Sequence, residues 1–209
     1  MKNKYFTKFC GITRIEDAKN AEIAGCDALG FVFVKQSKRY ISAEKCQEII
    51  NSLAPMTLTV ALFANNSRLE VAEILNKCSP HVLQFHGDES PRFCQQWQRP
   101  YWKAIPAADN TEAKAYAQRY PFAQAFLIDN YGKNKAGGSG KTFDWSKIPQ
   151  DCDKKWILAG GLTPENIAFA KNKTNMTSFD VSSGIEQRAG IKSMRKMQLF
   201  IKNLKQKHD

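Results

Sequence analysis

The sequence predicts an α/β fold, a (β/α)8 barrel of the TIM type in a single domain covering residues 1–209. Three observations carry this expectation. Short apolar runs alternate with segments of helical period from end to end. The runs recur roughly every 20 to 30 residues, the interval that a strand, a helix and two loops occupy. Eight such units fit in 209 residues, with no low-complexity segment or linker dividing them.

The strand candidates are Tyr5–Cys10, Ala28–Val34, Leu58–Phe63, Val82–Phe85, Tyr101–Ile105, Ala125–Ile128, Trp156–Ala159 and Ser178–Val181. Between them lie helix signals. Thr13 and Glu16 have capping-box spacing at the start of the first helix, and Gly25 stands where it should stop. Ser42 can cap a helix with Cys46, Ile49, Ile50 and Leu53 on its apolar side. Ser67 and Glu70 repeat the capping-box spacing. Ser90-Pro91 and Thr163-Pro164 each place a cap residue before a first-turn proline. Met194, Met197, Ile201 and Leu204 mark a final amphipathic helix with a solvated basic face. The pattern admits an open doubly wound sheet as well as a closed barrel. However, Cys10-Gly11-Ile12-Thr13, after the first strand, is not the dinucleotide fingerprint. The longest unpatterned stretch, Asn130 to Thr142, holds Gly132, Gly137, Gly138 and Gly140 and reads as a mobile functional loop.

Hydrophobic residues make up 43% and charged residues 24%, a globular balance that argues against disorder. There is no signal-peptide core and no run of about 18 apolar residues, so the expectation is a cytoplasmic protein without membrane attachment. The six cysteines show no C-x-x-C spacing and no zinc pattern, so no metal is expected and most should be reduced and buried. The net charge of +11 fits a nucleic-acid or polyanion binder, but it equally fits attraction of an anionic small substrate. No recognised nucleic-acid module accompanies the charge, so no nucleic-acid partner is expected.

Active sites of such barrels gather at the carboxyl ends of the strands. Cys10 ends the first strand, Arg39 follows the second, Gln84 and His86 flank the end of the fourth, and Asp129 ends the sixth. Gly160 and Gly161 follow the seventh strand; Asp180 lies near the end of the eighth, and Ser182, Ser183 and Gly184 follow it. The glycine turns Gly160-Gly161 and Ser183-Gly184 leave backbone N–H groups open to one anion. A short helix beginning near Gly184 would help, which suggests a phosphate site.

Several motifs resemble those of the phosphoribosylanthranilate isomerase family. They are K-F-C-G-I-T at Lys8–Thr13, G-F-V-F at Gly30–Phe33, L-Q-F-H-G at Leu83–Gly87, G-G-S-G-K-T-F-D-W at Gly137–Trp145, L-A-G-G-L-T-P-E-N at Leu158–Asn166 and D-V-S-S-G-I-E at Asp180–Glu186. They occur in family order and span nearly the whole chain. The resemblance implies a cofactor-free Amadori rearrangement of a small phosphorylated substrate, by a monomer or homodimer. It implies Cys10 as base, Asp129 as acid, Arg39 gripping the anthranilate carboxylate through two hydrogen bonds, and Gln84, His86 and Asp180 lining the substrate site. Gly160, Gly161, Ser183 and Gly184 would hold the phosphate. Cys10 would then need a positive environment, from the phosphate-site dipoles or Arg39, to depress its pKa, and Asp129 the reverse shift. A related reading is another phosphate-binding barrel isomerase, such as the histidine-pathway enzyme, whose first strand would end in aspartate where this chain has Cys10. Ser193 replaces the aspartate usual in the family before the last helix, and it can still cap that helix.

Overall fold

The computed structural model describes residues 5–106, 110–129 and 155–206. Eight parallel strands close into a barrel in sequence order. They are β1 (Phe6–Cys10), β2 (Ala28–Val32), β3 (Leu58–Phe63), β4 (Val82–Phe85), β5 (Tyr101–Pro106), β6 (Ala125–Asp129), β7 (Trp156–Leu158) and β8 (Ser178–Val181). Closure is made by β8 lying beside β1, with Lys8 in register with Asp180. The intervening helices are α1 (Ile15–Ala24), α2 (Ala43–Ser52), α3 (Arg68–Lys77), α4 (Pro91–Gln95), α5 (Asn110–Gln118) and α6 (Ile167–Thr174), with α7 (Met194–Lys205) last. The closed barrel thus replaces the open-sheet alternative. Strand ends agree with the sequence reading to within two residues. The largest difference is at β2, where Val34 leaves the sheet because its carbonyl accepts from Ser37 N–H and starts the turn that carries Arg39.

Period-2 alternation separates two cores. Ala28, Val60, Val82, Trp102, Ala104, Ala125, Leu127, Ile157 and Ala159 fill the barrel interior, joined by Phe6 and Leu58. Their neighbours, among them Phe9, Phe31, Phe63, Phe85, Phe126 and Phe179, face the helices. Phe33, Phe63 and Phe85 stack in succession across that outer layer. Burial on both faces is why the strands read as nearly continuous apolar runs. Cys46, Cys78 and Cys94 are buried free thiols in this layer.

Several caps form as their sequence predicts. Ser67 and Glu70 make both bonds of a capping box, and Ser42 and Ser90 each accept from the backbone N–H three residues on. Ser193 caps α7 by accepting from Lys196 N–H. Two caps differ. Thr13 and Glu16 do not form a capping box, because Thr13 Oγ1 donates instead to the Gly190 carbonyl at 2.5 Å and Arg14 becomes the N-cap. Thr163-Pro164 does not begin α6: Thr163 closes a local turn with Glu165 and Asn166, and the helix starts at Ile167. The expected helix at Gly184 is a single 3-10 turn, Ser183–Ile185, because the chain then runs directly into an unforeseen hairpin, β9 (Glu186–Arg188) with β10 (Ile191–Lys192). On α7 the buried positions are Met197, Phe200, Ile201 and Leu204; Met194 is only partly buried. The Asn130–Thr142 loop and the Gly137–Trp145 motif lie outside the described residues.

Gly25 ends α1 with φ 89°, and a Cβ built there would meet nothing closer than Lys205 Nζ at 3.8 Å. Its requirement is therefore for backbone conformation, not space. Gly25→Ala should lose about 1–2 kcal/mol, the cost of left-handed backbone for an ordinary residue, while Gly25→Asn should recover part of it. Chemical denaturation of the two variants measures the difference.

Candidate active site

The inward positions of β1 are Phe6, Lys8 and Cys10, since alternate residues share one face of a strand. Inside the barrel, a lysine needs a partner. The closure of β8 on β1 supplies one: Lys8 Nζ donates to Asp180 Oδ1 at 3.0 Å and to Oδ2 at 2.9 Å, with Lys8 fully buried and Asp180 8% exposed. The Cys10 thiol lies on the same inward face as this ammonium, and the two groups influence each other electrostatically. Gly30 is in register with Cys10 on β2. A Cβ at Gly30 would lie 2.8 Å from Cys10 Sγ and 3.0 Å from Lys8 Nζ, so its missing side chain is what admits both groups.

Burial is the largest influence on the Cys10 thiol and pushes its pKa up. Lys8 pulls it down, Asp180 pushes it up and Lys192 pulls it down more weakly, leaving a net rise. The expected depressed thiol is therefore not what this arrangement gives, although positive groups do surround it. Burial would lower Lys8, but Asp180 and then Cys10 outweigh that effect and hold the ammonium above the ordinary lysine value.

Arg39 reaches the rim from the loop after β2. Its Nε and Nη2 both donate to Glu186, at 2.8 Å each. The two-bond grip expected for a substrate carboxylate is thus made to a protein carboxylate on β9. Lys192 on β10 donates to the same Glu186 Oε1 at 2.9 Å and to the Ser182 carbonyl at 3.1 Å. Ser182 Oγ donates in turn to the Cys10 carbonyl at 3.0 Å. Burial pushes the Glu186 carboxyl up, but Arg39 and Lys192 together outweigh it and leave it below the usual carboxylate range. Burial lowers Lys192, and Glu186 only partly offsets this.

Across the same rim, Gln84 points inward from β4 and is fully buried. Its Nε2 lies 3.1 Å from His86 Nδ1, and His86 Nε2 lies 3.3 Å from Asp129 Oδ2 at the end of β6. The side chain of Asp129 is 21% exposed. Gln84, His86 and Asp129 therefore form one chain of contacts. Lys8, Glu186 and Lys192 were not singled out in the sequence. For Lys8 a signal existed, since period 2 places it on the inward face with Cys10. For Glu186 and Lys192 the hairpin that aligns them had no readable pattern.

Gly160 and Gly161 follow β7 with φ 80° and 69°, conformations that favour glycine. Their N–H groups and those of Ser183 and Gly184 find no backbone acceptor among the described residues. A Cβ on Gly184 would strike the Leu162 carbonyl oxygen, so the turns after β7 and β8 pack directly on each other. Asn166 braces the first turn by donating to the Gly161 carbonyl at 2.8 Å. Among the described residues no cluster of histidine, cysteine and carboxylate groups is arranged to hold a metal ion.

Fold and rim together define the class: a (β/α)8-barrel enzyme with its reactive groups at the carboxyl ends of the strands. The chain belongs to the N-(5'-phosphoribosyl)anthranilate (PRA) isomerase family, whose model matches residues 7–203. It is 47% identical over 195 residues to the N-(5'-phosphoribosyl)anthranilate isomerase of Pseudomonas fluorescens (strain Pf0-1), covering 93% of this chain and 96% of that one. Among solved structures, phosphoribosyl anthranilate isomerase from Thermotoga maritima superposes with a TM-score of 0.86 at 34% identity, over 96% of this chain and 98% of that one. A further isomerase structure, in complex with reduced 1-(o-carboxyphenylamino)-1-deoxyribulose 5-phosphate, gives 0.80 at 30% identity, over 96% of this chain and 98% of that one.

Gly184→Ala should force the two glycine turns apart. The expected loss is about 1–3 kcal/mol, typical of a methyl forced into a filled space. A thermal melt of the variant showing an unchanged midpoint would mean the turns are not packed as described.

Proposed function

We propose that this chain converts N-(5-phosphoribosyl)anthranilate to 1-(2-carboxyphenylamino)-1-deoxyribulose 5-phosphate, the isomerisation of tryptophan biosynthesis. The observation that carries the reading is that Cys10 and Asp129 end β1 and β6 on one rim of a closed barrel. Family membership and the likeness to a relative solved with a reduced product analogue support it.

In the forward direction the Asp129 carboxyl gives a proton to the furanose ring oxygen. The bond from that oxygen to C1 breaks, and the anilino nitrogen lone pair closes a C1=N bond. Cys10, as thiolate, removes the proton from C2. The C–H electrons form C1=C2, and the C1=N pair returns to nitrogen. The resulting enolamine is protonated at C1 while its C2 hydroxyl loses a proton, giving the ketone. Each transfer by a placed side chain is typically worth about 10²–10⁴ in rate.

The remaining groups position the substrate. Backbone N–H groups of Gly160, Gly161, Ser183 and Gly184 receive the phosphate, where barrels of this class often hold one. Arg39 keeps Nη1 for the anthranilate carboxylate while Glu186 fixes the plane of its guanidinium. Gln84 and His86 line the pocket on the Asp129 side, and Asp180 contributes through Lys8. The substrate needs no metal or organic cofactor for these steps. No helix among the described residues is long and apolar enough to cross a membrane. In this reading the enzyme works in the cytoplasm on a small phosphorylated molecule, as a monomer or homodimer.

Purified protein should deplete the fluorescence of phosphoribosylanthranilate. Cys10→Ala and Asp129→Asn should each lower kcat by about 10²–10⁴, the usual worth of one acid or base. Near-normal turnover in either variant would remove that residue from the mechanism.

A further inference from the structure

The barrel interior contains one feature that substrate contacts do not require: a fully buried ammonium shared between two potential anions. Lys8 Nζ bonds both oxygens of Asp180 at 2.9–3.0 Å, and the Cys10 thiol lies on the other side of it, against the bare Cα of Gly30. The bare Cα of Gly30 brings all of them together, since one added carbon there would lie within 3.0 Å of both Cys10 Sγ and Lys8 Nζ. Such a pair is poor evidence for stability, because desolvating two charges offsets much of their attraction. It does, however, place a fixed positive charge beside the thiol.

We infer that Lys8 is the counter-ion that makes Cys10 a usable base, and that Asp180 tunes the thiol by competing for the same ammonium. This rests on the isomerase reading only for the use to which the thiolate is put. When Cys10 is a thiolate, Lys8 is divided between sulfur and carboxylate. When sulfur takes the C2 proton, the ammonium relaxes wholly onto Asp180, and no proton leaves Lys8. Lys8 and Asp180 are positioning residues, acting on the sulfur rather than on the sugar.

The other charged groups facing Cys10 come from separate elements. Lys192 on β10 adds positive charge, and Arg39 lies near enough to feel the thiolate. Both of these are bound to Glu186, which absorbs much of their field. Lys8 is the stronger influence on Cys10 of the two lysines, and its other partner is also fixed inside the barrel.

The sharing predicts effects of opposite sign. Lys8→Met removes the cation and leaves Asp180 as an uncompensated neighbour, so the Cys10 titration midpoint should rise. At neutral pH the thiolate fraction should fall by about ten-fold or more, the change given by one unit of pKa. Asp180→Asn keeps the shape and gives the thiolate sole claim on Lys8, so its midpoint should fall and the thiolate fraction increase.

Thiolate absorbance in the ultraviolet reads this without substrate. Each titration is corrected by the same protein carrying Cys10→Ser, which subtracts the other cysteines. Circular dichroism confirms that each variant is folded, and Asp180→Asn alone decides the question if Lys8→Met does not fold. The acidic limb of kcat/KM should move in parallel with the absorbance midpoint. Midpoints that do not move, or that move in the same direction in both variants, overturn the inference. A wild-type protein that lacks isomerase activity would instead overturn the proposed function and leave the thiol titration to be read on its own.

Discussion

The arrangement of the site depends on barrel closure between β1 and β8. Lys8 and Asp180 are 172 residues apart in the chain, yet closure sets them side by side in register. The pair lies within an interior filled mainly by apolar side chains, where an unpaired charge of either sign would be strongly disfavoured. Two strands at the ends of the chain therefore depend on each other. β1 brings a thiol and an ammonium on one face, and only β8 brings the carboxylate that makes the ammonium tolerable. Gly30 on the next strand contributes by having no side chain.

A second network carries the rim outward from that pair. Arg39, Glu186, Lys192 and Ser182 form a continuous chain that ends on the Cys10 carbonyl. The β9–β10 hairpin is the element that makes it possible, because pairing Lys192 with Glu186 across the ladder brings their side chains together. Lys196 on α7 then donates to the Glu186 carbonyl at 2.8 Å, so the last helix is tied to the same point. Buried cations recur elsewhere. Lys103 donates to the carbonyls of Phe85, Gly87 and Ala104 beside Glu89, and Lys171 donates to the Leu204 and Gln206 carbonyls at the end of α7. Part of the positive charge counted in the sequence is therefore internal, satisfied by buried carboxylates and backbone carbonyls.

The barrel was legible because both of its periods are strong. Strands buried on both faces gave nearly continuous apolar runs, and Ser67, Ser90 and Gly25 marked helix ends by local chemistry alone. Local signals failed where a distant partner competed for the same atom. Thr13 has capping-box spacing with Glu16, but its hydroxyl goes to Gly190, 177 residues away. Arg39 has the reach and geometry to grip a carboxylate, and the one it grips in the structure belongs to Glu186, 147 residues on. Cys10, Asp129 and the glycine turns were readable as strand-end residues. Of the partners of Cys10 and Arg39, Lys8 could be placed on the inward face by its period, but not its pairing with Asp180, and a glutamate in a short hairpin carries no mark of where the fold will take it.

For the proposed reaction, naming Cys10 as the base is only half of the chemistry. Burial pushes Cys10 toward the neutral form, while Lys8 pushes it toward the charged one. A thiol left in water would need no help to ionise at high pH, but water would also compete for the Schiff base of the proposed reaction. Excluding water and retaining a thiolate are conflicting demands, and burial serves only the first. A fixed ammonium, held charged by its own buried carboxylate, is the group that works against burial, offsetting part of its effect without admitting solvent. The inward lysine two residues before the thiol is thus the counterpart of the low exposure of Cys10, and the two features make sense only together.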